Sequence, residues 1–321
     1  MKNKKALILI ILVVLVAAVA FAAGALRKPK KEEKKETKTE EKQEKEFTTY
    51  MPATYKVCDE DSCIHISGSY HMGDKRITKL DQKIIDIFDN SDYLALEIED
   101  DTDSVDQSQF LMKDGKTLQD VVTPEFYAKL EKFSEEHPMY VLKAYQNYNL
   151  GFNSTVIETL PLLEAKATTP GMDTIFQKRA KKNNKEILAF ETMDFQLNLL
   201  TGYSDEFYMQ TIEYFIDNYD EAAKLQLDLY EAYLKADVDE MLKLLAEDEE
   251  IENGEEATEE QIKFYEAMYT NRNNHMTDVI KEYLADNKNV FVVVGAAHVL
   301  PEGGILDQLK QTGNYTITRV E

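Results

Sequence analysis

Residues 290–304 read VFVVVGAAHVLPEGG, and their reading decides the fold. Five apolar β-favouring residues, Val290 to Val294, follow one another without a polar break. Such a run marks a strand covered on both faces rather than one with a wetted side. It stops on Gly295-Ala296-Ala297 and then presents His298. Small residues let the backbone turn tightly and let another group approach, so the strand reads as a rigid mount and the imidazole as the group it delivers. A short helix near 305–311, a Gly313-Asn314 stop and a strand over 315–320 complete the unit.

The other end of the folded region repeats this plan. TYKV-CDEDSC-IHIS reads as a hairpin around an acidic tip, and Gly68-Ser69-Tyr70-His71 follows it. A helix over 78–89, with Leu80, Ile84, Ile87 and Phe88 at helical spacing, leads to a strand over 93–98, YLALEI. A strand-helix-strand crossover places its two strands parallel. If both units share one sheet, His71 and His298 emerge on the same rim, where open α/β sheets bind ligands. The expected fold is therefore α/β: a central mixed or largely parallel sheet built from two strand-GxxH-helix-strand units, with a large helical cap (118–288) inserted between them. Within that insertion, Pro170-Gly171 is a break, 172–182 a helix, 186–191 (EILAFE) a strand ending in a carboxylate, and 203–245 long acidic amphipathic helices. Their tyrosines and methionines at helical spacing read as core rather than as a cofactor box.

Residues 6–26 form 21 consecutive residues without a charge, preceded by Lys2, Lys4 and Lys5. That is long enough to span a bilayer and longer than the 7–15 residues of a signal-peptide core. The reading is a basic cytoplasmic tip (1–5), a single-pass transmembrane signal anchor (6–26), a Lys/Glu-rich stalk (27–46) and an extracytoplasmic domain (47–321). Secretion after cleavage near Ala20–Ala23 is the alternative. In an exported chain, Cys58 and Cys63 bracketing a hairpin tip point to a cross-strand disulfide, with two free thiols as the alternative.

Residues 1–46 hold 12 of the 37 basic but only 7 of the 60 acidic residues, which leaves 25 against 53 from 47 onward, a net of −28. A domain this acidic repels phosphate backbones, so nucleic acid is excluded as a partner and peptides or small neutral substrates remain. No HExxH, GxSxG, P-loop or dinucleotide fingerprint occurs.

Of five histidines, His65 alternates with isoleucines in a strand and His137 precedes a proline, so both read as structural. Two histidines and one carboxylate leave open coordination positions on a divalent ion. The carboxylate candidates are Glu97 and Glu191. Glu97, among Leu94, Leu96 and Ile98, is too costly to bury without a cation or metal beside it. A hydrogen-bonded network that merely positions loops is the competing reading of the same residues.

HISGSYHMGD, LALEIE, PGMDTIFQKRAKKNNKEILAFETMDFQ, the NRN of 271–273 and VFVVVGAAHVLPEGG occur in this order, and together they resemble the TraB/PrgY/GumN family, which is related to the Tiki metalloproteases and more distantly to erythromycin-esterase and ChaN-like proteins. The first motif departs from the usual Gly-Thr-x-His by carrying Ser69, which keeps the hydroxyl. The resemblance implies a hydrolytic centre dependent on a divalent metal (Mn, Co or Zn), acting on peptides. His71 and His298 would hold the metal, with Glu97 as third ligand or general base. Asp173, Glu191 and Arg272 would stand nearby, Arg272 to stabilise an oxyanion and Glu191 to act as base if Glu97 ligates. A non-catalytic module that binds or sequesters a peptide signal is the alternative function.

Overall fold

The computed structural model describes residues 49–99, 107–252 and 257–321, with backbone alone for 107 and 247–252. The basic tip, the anchor and the stalk lie outside the described residues. Among the described residues no helix is long and apolar enough to cross a membrane.

The main sheet contains β1 (Thr54–Cys58), β2 (Cys63–Ser69), β4 (Tyr93–Leu96), β6 (Glu186–Ala189), β7 (Val290–Gly295) and β8 (Thr316–Arg319), in the order β6-β4-β7-β2-β1-β8. The pairs β6/β4, β4/β7 and β7/β2 are parallel, and β1 runs against both β2 and β8. β3 (Met72–Gly73) and β5 (Thr169–Pro170) form a separate two-stranded pair.

Both crossover units are present, and they interleave. β7 enters between β2 and β4, so neither unit's two strands are neighbours. A crossover makes strands parallel but does not make them adjacent. The consequence is functional: the C-terminal ends of β2, β7, β4 and β6 stand side by side on one edge.

The helices used below are α1 (Gln82–Asp89), α2 (Pro124–Glu136), α3 (Leu150–Glu164), α4 (Met172–Asn183), α5 (Met193–Thr201), α6 (Asp205–Asp217), α7 (Tyr219–Leu234), α8 (Val238–Glu252), α9 (Glu259–Tyr265), α10 (Asn271–Ala285), α11 (Ala296–Val299) and α12 (Ile305–Gln311). The uninterrupted apolar run of β7 is explained by its cover on both faces. Phe291 and Val293 meet Phe88 of α1 and Phe176 of α4, while Val290, Val292 and Val294 meet Met276 and Ile280 of α10 and Leu309 of α12. A third core, with Phe126, Leu130, Phe152, Leu197 and Ile212, holds the cap together.

Several boundaries differ from the sequence reading. The first helix begins at Gln82 rather than 78, because the Asp81 side chain accepts from the Lys83 N–H and caps it there. The strands over 93–98 and 186–191 end at Leu96 and Ala189. Backbone bonds from Phe190 N–H to Leu96 O (3.0 Å) and from Glu191 N–H to Glu97 O (2.8 Å) nevertheless keep Glu191 in step with Glu97. Stretch 118–288 is not a cap throughout, since α4 and α10 cover the sheet and β6 extends it. Cys58 and Cys63 face each other across the hairpin and are bonded.

Candidate functional site

The edge where β2, β4, β6 and β7 end carries the predicted residues. A β-carbon built on Gly295 would lie 3.2 Å from Glu97 Oε1, 3.5 Å from His298 Cδ2 and 4.0 Å from His71 Nε2. Gly295 is thus the floor around which the two imidazoles and the carboxylate converge, and any side chain there would fill the space between them. The small residues after β7 have a second use, because a β-carbon on Gly68 would stand 3.1 Å from Ala296 Cα and Cβ. Only small residues at both places let the two G-x-x-H turns touch.

Above this floor is a pocket of ≈ 730 Å³ including its mouth, with Ser69, His71, Glu97, Gln196, Arg272 and His298 among its polar lining. Its apolar walls come from Leu199, Leu229, Met241, Leu245 and Met268. Met268 and Tyr269 belong to a π turn, Glu266–Thr270, that joins α9 to α10 just ahead of Arg272. Such turns re-aim side chains inside a helix and recur at functional sites.

Each imidazole is held by its Nδ1. His71 Nδ1 donates to Asp173 Oδ2 at 3.1 Å. Asp173 sits in the first turn of α4, where the helix dipole favours its charge. His298 Nδ1 lies 2.7 Å from Asn273 Oδ1, and Asn273 Nδ2 donates to Gly303 O at 3.3 Å, which fixes the amide so that its oxygen accepts from the ring. Both rings therefore keep Nε2 for the pocket, the arrangement that outer partners impose on metal-binding histidines.

The two environments pull the rings apart. Burial opposes a charge on His71, but Asp173 and then Glu97 outweigh it and push its pKa up to about 9. Burial, with Arg272 adding to it, pushes His298 down to about 3. A ring that ligates an ion through Nε2 must be neutral, so ion binding at His71 would be coupled to release of a proton.

Glu97 is bound on both oxygens. Oε1 accepts the Gly295 N–H at 2.6 Å, and Oε2 accepts from Arg272 Nη2 at 2.6 Å and Gln196 Nε2 at 3.2 Å. Burial works against its charge; Arg272, foremost among the opposing causes, holds the carboxyl well below the ordinary range. Arg272 also grips Glu191, through Nε to Oε1 at 2.7 Å and Nη2 to Oε2 at 3.0 Å, while Nη1 donates to Met268 O at 3.2 Å.

These contacts revise two roles. Glu191 does not line the pocket, and its oxygens are taken by Arg272 and Gln196, so it pins the guanidinium and is not placed as a base. Arg272 has its donors committed to Glu97, Glu191 and Met268, so it is a clamp on two carboxylates rather than a free oxyanion donor. Glu97 is the one carboxylate among the described residues that lines the pocket. His137, paired with Glu164 at 3.0 Å in the cap, is remote from it, and His65 stands within β2 opposite Phe291.

Sequence reading missed Asn273 and Gln196. Both lay inside motifs already singled out, NRN and EILAFETMDFQ, but nothing local marks which polar residue of a helix turns toward a distant imidazole or carboxylate.

The donor chemistry suits a divalent ion. His71 Nε2 and the edge of the His298 ring share a floor with Glu97 Oε1, which is 3.8 Å from His71 Nε2. Asp173 Oδ1 and Ser69 Oγ, both buried and next to His71, have no hydrogen-bond partner. As the side chains stand, however, no group of three or more His, Cys, Asp and Glu among the described residues has metal-holding spacing.

The β3/β5 pair sets the His71 backbone. Gly171 N–H donates to His71 O at 2.9 Å, and a β-carbon on Gly171 would fall 2.1 Å from Tyr70 O and 2.5 Å from His71 Cα. Gly171→Ala is expected to force these backbones apart, costing about 1–3 kcal/mol and displacing His71 from Asp173. Urea unfolding checks it; an alanine variant with wild-type stability refutes the close approach.

The family model described as TraB/PrgY/gumN matches residues 53–319. No curated protein and no solved structure matches the chain.

Proposed function

The chain belongs to the TraB/PrgY/gumN family, and from that premise we propose that its pocket hydrolyses peptides with a divalent metal ion, in a domain held outside the cytoplasm by the 6–26 anchor. The observation that carries this reading is the convergence of His71, Glu97 and His298 on the Gly295 floor of a pocket with apolar walls. Those walls suit a peptide with apolar side chains next to the cleaved bond.

His71 and His298 would hold the ion, with Glu97 as third donor, and the bound ion supplies Lewis-acid polarisation and a water of lowered pKa. Manganese, cobalt and zinc all accept this donor set, and occupancy follows supply and geometry. Asp173 and Asn273 orient the two rings. Arg272, anchored by Glu191, keeps Glu97 ionised, and Gln196 donates to both carboxylates. If the two histidines hold the ion without it, Glu97, the carboxylate that lines the pocket, would instead take a proton from an attacking water.

A second reading, a non-catalytic peptide-binding module, draws on a different observation. Both Glu97 oxygens are already bonded to Gly295, Arg272 and Gln196, and the site lacks a three-donor set at metal-holding spacing. Elemental analysis of the purified chain, together with a peptide library assayed with and without chelator, separates the two. One metal per chain and cleavage that chelator abolishes support the hydrolase. A metal-free chain that retains peptides intact supports the module.

A further inference from the structure

The apolar walls of the main pocket and most of the domain's charge come from the same stretch of chain. Leu199, Leu200, Leu229, Met241, Leu245 and Met268 all lie between 193 and 270. Those 78 residues hold 22 of the 53 acidic residues that follow position 46 and only 4 of the 25 basic ones, a net of −18 out of −28. All the rest of the domain carries −10. An apolar guest gains nothing from such a surface, and a basic guest gains nothing from such walls. A guest that is both gains from each.

Two acidic residues stand next to the walls themselves. Asp237 caps α8 by accepting from the Glu240 N–H at 3.2 Å, and Asp237, Met241 and Leu245 recur every fourth residue, the spacing of one helix face. Glu266 opens the π turn that carries Met268 and Tyr269. Both acidic residues are exposed. Charges in water are screened beyond about 8 Å at physiological salt, so the other acidic residues of this stretch steer a cation to the cap, while Asp237 and Glu266, about one helical turn from the walls, can hold it. Inside the pocket no lysine opposes a cationic guest, and Arg272 is committed to Glu97 and Glu191. Ser69, 2 % exposed and part of the lining, keeps its hydroxyl without a partner, a polar atom for a guest to complete.

We propose that the pocket selects cationic amphipathic peptides: one aliphatic side chain enters between Leu229, Met241, Leu245 and Met268, and basic side chains beside it lie against the cap at Asp237 and Glu266. This rests on the reading that the pocket takes peptides, and it adds which ones. The ≈ 730 Å³ of the pocket and its mouth falls within the range of about 300–1,000 Å³ usual for ligand sites. Lysine and arginine suit the rim, since their stems pack on apolar surface while their charged heads stay in water. A peptide rich in acidic residues is turned away.

Calorimetric titration of the full chain in uncharged detergent, with chelator present so that nothing is cleaved, tests this with three blocked peptides: Lys-Lys-Leu-Lys-Lys, Glu-Glu-Leu-Glu-Glu and Lys-Lys-Ser-Lys-Lys. At about 20 mM salt the first is expected to bind at least tenfold more tightly than the second, a preference that shrinks at about 200 mM. It is also expected to bind at least tenfold more tightly than the third, which lacks the aliphatic side chain. Asp237→Asn combined with Glu266→Gln, at exposed positions and with a capping side chain retained, is expected to weaken the first peptide at least threefold and to leave the second no weaker. Equal binding of the lysine and glutamate peptides, or an unchanged affinity in the double variant, overturns the proposal. A preference for lysine that ignores leucine overturns it too, as attraction to an acidic surface only. A chain that passes the titration and cleaves nothing keeps the peptide class and loses the hydrolase, whereas cleavage without regard to peptide charge keeps the hydrolase and loses this inference.

Discussion

Arg272→Met is expected to lower the stability of the domain by about 3–5 kcal/mol at pH 7–8, because it strips two buried carboxylates of their shared cation. Arg272 is 4 % exposed and Glu97 6 %, and the guanidinium bonds Glu97 and Glu191 at once. A loss of that size is a large share of the roughly 5–15 kcal/mol that holds a domain folded. Its pH dependence is diagnostic. In the wild type the Glu97 pKa is lowered, so its contribution is present above the unfolded value and is lost as pH falls through the folded one. Without Arg272, burial raises the pKa instead, and the contribution becomes complete at acid pH and lost as pH rises. The deficit of the variant should therefore shrink between pH 7.5 and pH 5. Urea unfolding at both values measures it, and a deficit equal at the two pH values sinks the clamp. Combining Arg272→Met with Glu97→Gln and Glu191→Gln should restore much of the stability, since a neutral, hydrogen-bonding group is far cheaper to bury than an unpaired charge.

The second large effect concerns turnover. On the proposed hydrolase reading, His71→Asn and His298→Asn are each expected to reduce peptide cleavage about 10²- to 10⁴-fold, the range for groups that act directly at reacting atoms. The double variant should be scarcely worse than the poorer single one, because residues that act as one unit lose their function together. Asn273→Ala, which touches only the far side of the His298 ring, is expected to cost about 10- to 100-fold in turnover and metal affinity. Initial rates on a cleaved library peptide, with bound metal measured in parallel, give all four values. A His298→Asn variant that keeps half the wild-type cleavage would remove His298 from the proposed centre. His71, 17 % exposed, should tolerate its replacement with little loss of stability, whereas His298 is enclosed and bonded to Asn273, so folding is checked in that variant.

Much of the site was legible before any coordinates, and the reason is local chemistry. An apolar run ending on Gly-Ala-Ala-His announces a covered strand and a delivered imidazole within ten residues. Glu97 stands out because a carboxylate in the middle of YLALEI has no inexpensive place to go. The roles of Glu191 and Arg272 were not legible. As residues, both suit catalysis, and only their contacts show that they lock each other behind Glu97. The bonds that decide this join positions far apart in the chain: 99 residues separate Glu97 from Gln196, 175 separate it from Arg272 and 198 from Gly295. Periodicity within an element carries no information at that range.

Chain chemistry alone determined that this protein has two G-x-x-H turns on buried strands, a strongly acidic folded region, and a hairpin whose cysteines can meet. Tertiary structure alone decided that β7 inserts between β2 and β4, because a crossover settles the direction of a strand and leaves its neighbours to packing. That insertion seats Gly295 between Glu97 and the two imidazoles, and it turns motifs at opposite ends of the domain into one pocket.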